Sequence, residues 1–362
     1  MKHVANKTIL NVKPYVPGKP IEEVKRELGL KNVIKLASNE NPFGPSPKVL
    51  AAINKAAKEL NRYPESGCHY LRMELARLLK VNPCQFIFGN GSDEVIVLAV
   101  RAFVSKGDEV IIAKPSFLIY DIAARIAGAT IKSIPLDQNF RYDLPAMKKA
   151  VTKKTKIIFL GNPDNPSGQY FTQNEMAAFV RSVRNDVLIF IDEAYFEYVD
   201  CKDYVDSIKL LKKHNNVIVT RTFSKMYGLA GLRIGYGVAN EEVAELLNRL
   251  REPFNVNSLA QAAAVACLND GLHYRRVASI IRQQRQYIYT QLEKLGLSFI
   301  KTFTNFILIN IPTNSSVIAN KLMHKGIIVR DMNVWGLKKY IRVTIGLPQE
   351  NKRFIKTLKE VL

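Results

Sequence analysis

The stretch VLIFIDEAY, residues 187–195, places five consecutive apolar residues directly before an acidic one. The apolar run Val187–Ile191 shows no alternation of polar and apolar residues, which predicts a strand buried on both faces. Similar runs rich in Ile, Val and Phe occur at Phe86–Phe88, Val110–Ala113, Ile157–Leu160 and Val217–Thr220. Helical patterns such as Thr172–Val183 lie between them. This alternation predicts an α/β domain with a mostly parallel sheet.

After about residue 240 the pattern changes. Asn240 has the form of a helix N-cap, and Ser258–Leu268 predicts a small apolar helix that is buried. Two further strands, Phe306–Ile309 and Ile341–Ile345, precede a closing amphipathic helix, which together predict an α+β unit. We therefore expect three parts: an N-terminal arm (residues 1–30), a large domain (31–255) and a smaller α+β C-terminal domain (256–362).

Length and composition exclude several classes of protein. The 362 residues exceed what one hydrophobic core normally holds, and an apolar fraction of 47% excludes intrinsic disorder. The longest uncharged stretch, Pro253–Asn269, is too polar to span a membrane, and the N-terminus lacks the apolar segment of a secretory signal. The four cysteines are widely spaced and form no C-x-x-C pair. They predict no disulfide framework and no metal site, and they suit a cytoplasmic protein.

The chain is strongly basic, with a net charge of +21. Such a charge is compatible with a nucleic-acid-binding module. However, the basic residues occur as scattered pairs, for example Lys148-Lys149 and Lys212-Lys213, and never in a block of five. This distribution favours a solvated basic surface and makes nucleic acid an unlikely partner, although the binding module stays open as a remote alternative.

Two turns lie directly after predicted strands, where open α/β sheets bind ligands. Gly89–Glu94 joins a strand to an apolar helix, and the exposed N–H groups at such a helix start bind anions well. Asn162–Gly168 follows the strand Ile157–Leu160 and has the composition of a turn. Taken alone, Gly89–Glu94 is more typical of a plain capped turn, and Asn162–Gly168 is also compatible with a simple loop.

Three charged side chains are candidates for chemistry. Asp192 ends a buried strand, so it needs a metal, an arginine or a protonated ring nitrogen as partner, or it forms a structural ion pair. Lys225 can form a Schiff base if its pKa is lowered, although most lysines lie at the surface. Arg342 projects to the side of its strand opposite Ile341 and Val343, where it either binds a carboxylate or phosphate or is solvated.

In their order and spacing, these motifs resemble those of the fold-type-I pyridoxal-phosphate aminotransferases, the aspartate-aminotransferase superfamily. The resemblance covers nearly the whole chain and is carried by Asn165-Pro166-Ser167-Gly168, by Asp192-Glu193-Ala194-Tyr195, and by Ser224-Lys225 with Arg233 eight residues later. Met226 departs from the pattern, because relatives usually have a small residue after the lysine. The resemblance implies a pyridoxal-phosphate-dependent transaminase.

Within that superfamily, the N-terminal half is similar to the histidinol-phosphate aminotransferase subfamily. The segments that agree are Lys13–Pro20, Leu36–Pro42, Asn61–Pro64, Gly89–Glu94 and Gly228–Arg233. The similarity implies amino transfer between L-histidinol phosphate and 2-oxoglutarate, giving imidazole-acetol phosphate and glutamate in histidine biosynthesis. It also implies a homodimer with a shared active site.

The resemblance implies a role for each matching residue. Lys225 holds the cofactor covalently and moves the substrate proton, and Asp192 keeps the pyridinium nitrogen protonated. Tyr195 and Asn165 hydrogen-bond the ring oxygen, and Phe117 stacks on the ring. Residues expected to hold the cofactor phosphate are Gly91, Ser92, Asp93, Thr222, Ser224 and Arg233, together with Tyr63 of the neighbouring subunit. Residues expected to bind substrate are Tyr15, Tyr63, Asn165, Arg330 and Arg342.

The substrate has rival interpretations on the same fold. An aromatic amino-acid aminotransferase would keep the reaction and change the substrate. A threonine-phosphate decarboxylase would use the same lysine and a phosphate-binding arginine but break the bond to the carboxylate. Histidinol phosphate carries a phosphate ester, whereas glutamate carries carboxylates. One site must therefore accept both kinds of anion, and Arg342 can bind either.

Overall fold

The computed structural model describes residues 3–10 and 12–362. Within these residues the strands are β1 (Ile34–Leu36), β2 (Phe86–Gly89), β3 (Glu109–Lys114), β4 (Thr130–Pro135), β5 (Thr155–Gly161), β6 (Leu188–Asp192), β7 (Val217–Thr222), β8 (Gly235–Ala239), β9 (Phe299–Ile300), β10 (Phe306–Asn310), β11 (Ile327–Asp331) and β12 (Tyr340–Thr344). The α-helices are α1 (Ile21–Leu28), α2 (Pro47–Ala56), α3 (His69–Leu79), α4 (Ser92–Phe103), α5 (Leu118–Ile126), α6 (Leu144–Lys149), α7 (Gln173–Ser182), α8 (Glu241–Leu250), α9 (Ser258–Leu268), α10 (Gly271–Lys294), α11 (Ser315–His324) and α12 (Pro348–Val361). Short 3-10 helices occupy Lys7–Ile9, Ala57–Glu59, Pro83–Gln85, Phe196–Tyr198, Ser207–Lys212, Ala230–Leu232 and Asn333–Trp335.

The larger sheet has seven strands in the order β2-β8-β7-β6-β5-β3-β4. Neighbouring pairs from β7 to β4 are parallel, whereas β8 is antiparallel to both β2 and β7. Only β8 therefore runs against the others, so the prediction of a mostly parallel α/β sheet is confirmed. Because the other six strands share one direction, the turns after β2, β5, β6 and β7 meet at one edge of the sheet.

Helix boundaries follow from local capping. The Thr172 hydroxyl accepts a hydrogen bond from the Glu175 backbone N–H, and the Glu175 carboxylate accepts one from the Thr172 backbone N–H, which starts α7. Asn240 accepts from the Glu242 backbone at the start of α8, as the sequence predicts. The nearly wholly apolar α9 buries alanines against α2 and α3.

The smaller sheet has five strands in the order β1-β11-β12-β10-β9. It contains β1, which pairs in parallel with β11 although the sequence prediction placed residues 31–255 in the large domain. After β1 the chain passes through α2 and α3 before it enters the larger sheet at its edge strand β2. Among the described residues, no helix combines the length and apolarity needed to cross a bilayer.

Candidate active site

The two sheets enclose a cavity of about 330 Å³ at the carboxyl edge of the larger sheet. Nearly all of the predicted site residues line it: Tyr15, Ser92, Asp93, Phe117, Asn165, Asp192, Tyr195, Thr222, Ser224, Lys225, Arg233, Arg330 and Arg342. Residues 150 or more positions apart in sequence thus share one pocket, because the strand ends that carry them are adjacent in the sheet.

Lys225 lies in the turn after β7 with its side chain half-buried in the cavity wall. Its ammonium donates to the Ser38 carbonyl at 3.1 Å and lies 5.8 Å from the centre of the Tyr195 ring. Burial, with a further contribution from the positive charge of Arg342, lowers the pKa of Lys225 from 10.5 to about 8. About a tenth of this amine is therefore neutral and nucleophilic at pH 7, far more than for a lysine with the ordinary pKa of 10.5.

Asp192, the last residue of β6, is a buried carboxylate facing the cavity. It accepts hydrogen bonds from the Tyr120 hydroxyl at 2.8 Å and from the Ala194 backbone at 3.2 Å. Burial nevertheless raises its pKa to about 6, because no cation among the described residues pairs with it. A carboxylate left in this state fits a protonated ring nitrogen placed opposite it.

The start of α4 forms an anion cradle with Arg233. Arg233 donates to Asp93 at 3.2 Å and to the Ser224 hydroxyl at 3.4 Å. Gly91, the N-cap of α4, has φ +87°, and a Cβ there would lie 2.2 Å from the Arg233 guanidinium. The glycine therefore lets the guanidinium approach the bare N–H groups of the helix, an arrangement that binds a phosphate.

Tyr195 and Asn165 present polar groups between the lysine and the smaller sheet. The Tyr195 hydroxyl accepts a hydrogen bond from Asn39 at 2.9 Å, which leaves its own proton free to be donated. Burial raises the pKa of Tyr195 to about 12, so that proton is retained. The Asn165 carbonyl oxygen accepts from Arg342 at 2.5 Å, so its amide N–H groups are left for other partners.

Arg342 on β12 and Arg330 on β11 are direct neighbours across the antiparallel strand pair. Their exposed fractions are only 5% and 8%, so the interpretation of Arg342 as a solvated side chain is excluded. Arg342 donates to the Ala37 carbonyl and Arg330 to the Val16 carbonyl. None of the ion pairs formed within the described ranges involves either guanidinium.

Two predicted residues do not line this cavity. Gly91 lies just behind its wall, in contact range of Arg233. Tyr63 is 82% exposed and stacks on Phe254, with ring centres 4.7 Å apart. Within one chain, Tyr63 therefore takes no part in the site, and its assignment to a neighbouring subunit stays a prediction.

Four residues that the sequence reasoning did not single out contribute to the site. Tyr120 holds Asp192, Asn39 holds Tyr195, Ser38 accepts from Lys225, and Trp335 lies against both arginines. Two signals were available in the sequence, since Ser38 and Asn39 lie in the quoted Leu36–Pro42 segment and Trp335 is the only tryptophan. Nothing in the local pattern distinguishes Tyr120 from a core aromatic residue.

The site fits pyridoxal phosphate on these structural grounds. The buried Asp192 carboxylate has no cationic partner within the described residues, and Lys225 and the α4 cradle face the same cavity. Met226, the departure noted in the sequence, is buried behind the lysine, and its backbone carbonyl accepts from Asn41 at 2.7 Å. Its side chain is therefore not among those lining the cavity.

Comparison with known proteins agrees with this geometry. Residues 31–358 match the family model described as aminotransferase class I and II. The histidinol-phosphate aminotransferase of Moorella thermoacetica is 46% identical over 98% of this chain and 92% of the relative. That of Caldicellulosiruptor saccharolyticus is 44% identical over 98% of this chain and 99% of the relative.

A solved structure gives the same result. The histidinol-phosphate aminotransferase of Sinorhizobium meliloti, in complex with pyridoxal-5'-phosphate, superimposes with a TM-score of 0.92 and 30% identity over 99% of this chain and 97% of that one. Sequence motifs, fold and cavity all agree with these matches. The chain therefore belongs to the class I and II aminotransferase family, and it is a pyridoxal-phosphate-dependent aminotransferase of fold type I.

Proposed function

We propose that this enzyme transfers the amino group of L-histidinol phosphate to 2-oxoglutarate, giving imidazole-acetol phosphate and L-glutamate, as a step of histidine biosynthesis. The names of the relatives that match nearly the full chain support this substrate. The observation that carries the proposal within the molecule is the pair of buried arginines, Arg330 and Arg342.

The arginine pair favours a ligand with two negative charges. Like charges directly opposite each other destabilise a strand pair, and burial of two guanidinium groups without acidic partners adds a desolvation penalty. Burial, together with the neighbouring Arg330, lowers the pKa of Arg342 to about 10. In addition, the buried Nε of Arg342 finds no acceptor among the described residues. A phosphate ester dianion, or the two carboxylates of glutamate, would satisfy both groups.

Side chains of this protein would hold the cofactor and move the substrate proton. Bound pyridoxal phosphate supplies an electron sink for the bond broken at the substrate Cα. The neutral Lys225 amine would hold the cofactor and take the Cα proton, and Asp192 would keep the ring nitrogen protonated. Tyr195 and Asn165 would donate to the ring oxygen, while Phe117 would pack on the ring face.

The phosphate of the cofactor would lie at the start of α4. The backbone N–H groups of Gly91, Ser92 and Asp93, at the N-terminus of α4, would donate to it, and Arg233 and Ser224 would add charged and hydroxyl donors. The Thr222 hydroxyl accepts from the Ser224 backbone at 3.1 Å and would fix that turn.

We further propose a cytoplasmic homodimer in which Tyr63 reaches the partner's site. The Tyr63–Phe254 stack is surrounded in sequence by other exposed apolar side chains, including Leu60, Tyr70 and Met73. Clustered exposed aromatic and aliphatic residues are typical of protein interfaces. The cysteines, Cys68, Cys84, Cys201 and Cys267, are all unpaired, which supports a reducing compartment.

The direct test measures glutamate formation from L-histidinol phosphate and 2-oxoglutarate by the purified holoenzyme. Parallel reactions contain phenylalanine, tyrosine or threonine phosphate in place of histidinol phosphate, with carbon dioxide release measured for the last. The proposal expects the highest kcat/KM for histidinol phosphate. A higher value for an aromatic amino acid, or carbon dioxide release from threonine phosphate, would replace it by the corresponding alternative.

A further inference from the structure

The two buried arginines are surrounded by aromatic rings. The guanidinium carbon of Arg330 lies 4.9 Å from the centre of the Trp335 ring and 6.0 Å from that of Tyr15. The guanidinium carbon of Arg342 lies 5.9 Å from Trp335 and 5.2 Å from Phe306. Trp335 is therefore the one ring of the three that contacts both guanidinium groups. We call Tyr15, Phe306 and Trp335 the aromatic cage.

The aromatic cage stabilises positive charge in a different way from a carboxylate. A ring face attracts a guanidinium through its quadrupole, but it accepts few of the hydrogen bonds that the guanidinium can donate. A carboxylate would neutralise the charge and occupy the N–H fork. Rings therefore hold the two arginines in the fold while leaving their charge available to an incoming anion.

The nearest acidic residue in sequence is kept away from the pair. Asp331 follows Arg330 on β11, so alternation directs its side chain to the other face of the sheet. There both carboxylate oxygens accept hydrogen bonds at 2.6 Å, one from Ser315 and one from Ser316. The charge of the arginine pair is thus left without a local counterion within the described residues.

Trp335 is itself fixed by a contact to the larger domain. Its indole N–H donates to the Ser116 carbonyl at 2.9 Å, and its ring lines the cavity. Ser116 precedes Phe117, the residue placed on the cofactor ring. The hydrogen bond to Ser116 therefore holds the indole between the cofactor site and the two arginines.

We propose that Trp335 is a positioning residue that determines the preference of this site for dianionic over monoanionic substrate groups. By packing on both guanidinium groups it holds them converged, so that one dianion engages both. A monoanion needs only one of them and gains little from the convergence. The inference rests on the proposed function, because it assigns the phosphate of the substrate to Arg330 and Arg342.

The test uses two probes of nearly the same shape, methyl phosphate and methyl sulfate, which differ by one charge at pH 8. Their dissociation constants for the holoenzyme are measured by titration calorimetry, with saturating pyridoxal phosphate occupying the Arg233 cradle. The variants are Trp335→Leu, Trp335→Phe and the control Val334→Ala, whose side chain is exposed on the same 3-10 helix. Biosynthetic replacement of the single tryptophan by 5-fluorotryptophan weakens the ring quadrupole with almost no change of shape.

We expect Trp335→Leu to weaken methyl phosphate by about tenfold and methyl sulfate by less than about threefold, the size of a lost cation–π contact. Trp335→Phe and 5-fluorotryptophan should give intermediate losses, and Val334→Ala should match the wild type. An equal loss for both probes means a merely structural role and overturns the proposal, as does no loss for either. If Trp335→Leu does not fold, the isosteric fluorinated protein decides in the same way.

The same data separate the two proposals. A wild-type enzyme that turns over histidinol phosphate, but whose probe preference is unchanged in the Trp335 variants, overturns the inference and leaves the function standing. A wild-type enzyme with neither turnover of histidinol phosphate nor a preference for methyl phosphate overturns both.

Discussion

Lys225 combines burial with a nearby cation, and both effects favour its neutral form. Because only a neutral amine attacks an aldehyde, we predict that apo-protein captures pyridoxal phosphate at a rate that rises with pH around a midpoint of about 8. Burial also makes the folded apo-protein more stable as pH increases from about 8 to 10.5, since only the unfolded chain holds the proton there. Absorbance of the lysine-bound cofactor in rapid mixing at several pH values measures this rate.

Lys225→Ala should abolish both this capture and transamination while leaving the thermal unfolding transition in place. Lys114→Ala is the matched control, since Lys114 is exposed at the same edge of the sheet. Borohydride reduction followed by peptide mapping of the wild type would contradict the assignment if the adduct lay on any other lysine.

In Asp192 the pKa shifts in the opposite direction from that of Lys225. Burial without a neighbouring cation favours the protonated carboxyl and raises its pKa. A raised acid pKa means that apo-protein loses stability as pH rises from about 3.8 to 6, so Asp192→Asn should stabilise apo-protein above pH 6 by at most about 3 kcal/mol. The same change should slow the proton-transfer step by about 10²–10³, because an unprotonated pyridine withdraws electrons poorly. Chemical denaturation and single-turnover kinetics measure the two effects.

Asp164→Asn is the matched control for Asp192. Burial raises the pKa of Asp164 to the same value of about 6, but this carboxyl accepts from Tyr142 and Ser167 and does not line the cavity. Asp164→Asn should therefore change the stability of the apo-protein in the same direction as Asp192→Asn. It should slow the proton-transfer step much less. Unchanged kcat in Asp192→Asn would remove the support for the pyridinium role.

Individual site residues were predictable where a motif fixes both type and spacing. Lys225, Asp192 and Arg233 lie at strand ends, and the resemblance assigned them before the sheet was known. Tyr120 was not predictable, because its hydrogen bond to Asp192 joins residues 72 positions apart and depends on the packing of α5. The sequence could not show whether the Arg342 side chain is solvated or buried at a binding site. The exposed fraction of 5% in the structure excludes the solvated interpretation.

At the scale of secondary-structure elements, the proposed anion site depends on the pairing of β11 with β12, which places Arg330 opposite Arg342. We predict that Arg342→Ala lowers kcat/KM in both half-reactions by at least about tenfold, since a charged hydrogen bond contributes about 1.5–3 kcal/mol. Arg330→Ala should impair the phosphate substrate more than glutamate, because a phosphate dianion uses the second cation more fully. Single-turnover kinetics on each half-reaction, with the exposed Lys339→Ala as control, measures this. If Arg342→Ala leaves kcat/KM unchanged for either substrate, the proposal that both substrates share one anion site is wrong.

The start of α4 depends on a single glycine. Gly91→Ala would place a methyl group 2.2 Å from the Arg233 guanidinium, so we predict a weaker affinity for pyridoxal phosphate, by about tenfold or more. Gly107→Ala is the matched control, because Gly107 has nearly the same φ, +91°, with open space around its Cα. Both variants should lose a similar amount of stability from backbone strain. Equal cofactor affinity in the two proteins would show that the cradle tolerates the methyl group.

Two strands of the larger sheet that the sequence did not predict, β8 and β4, have physical explanations. Strand β8 contains Gly235 and Gly237, which weaken any strand pattern. The structure needs a glycine at 235, because a Cβ there would lie 2.4 Å from the Ser92 backbone nitrogen. Strand β4 is half exposed at the sheet edge and lacks the apolar run of its neighbours. In the larger sheet, the strands with a continuous apolar run were predictable from composition, whereas the glycine-containing β8 and the edge strand β4 were not.

At the scale of the whole molecule, Tyr63 does not line the cavity of its own chain, and the proposed homodimer would bring it to the partner's site. We predict that Tyr63→Ala and Lys225→Ala proteins, each of low activity, regain activity when co-expressed or mixed by denaturation and refolding. Every mixed dimer then has one site with both native residues, so random mixing recovers about a quarter of the wild-type sites. Two Lys225→Ala preparations mixed in the same way are the control. Activity that stays at the sum of the separate proteins would mean that each chain is self-sufficient.

The position of the single tryptophan also gives the molecule an optical property. Trp335 is the only indole in the chain, and it lies in the wall shared by the cofactor site and the two arginines. Its emission overlaps the absorption of a lysine-bound pyridoxal group, so energy transfer from this one residue reports loading of the cofactor. Quenching by an anion that reaches the guanidinium groups reports substrate entry in the same experiment. Each half-reaction can therefore be followed in real time in the native enzyme, without any attached label.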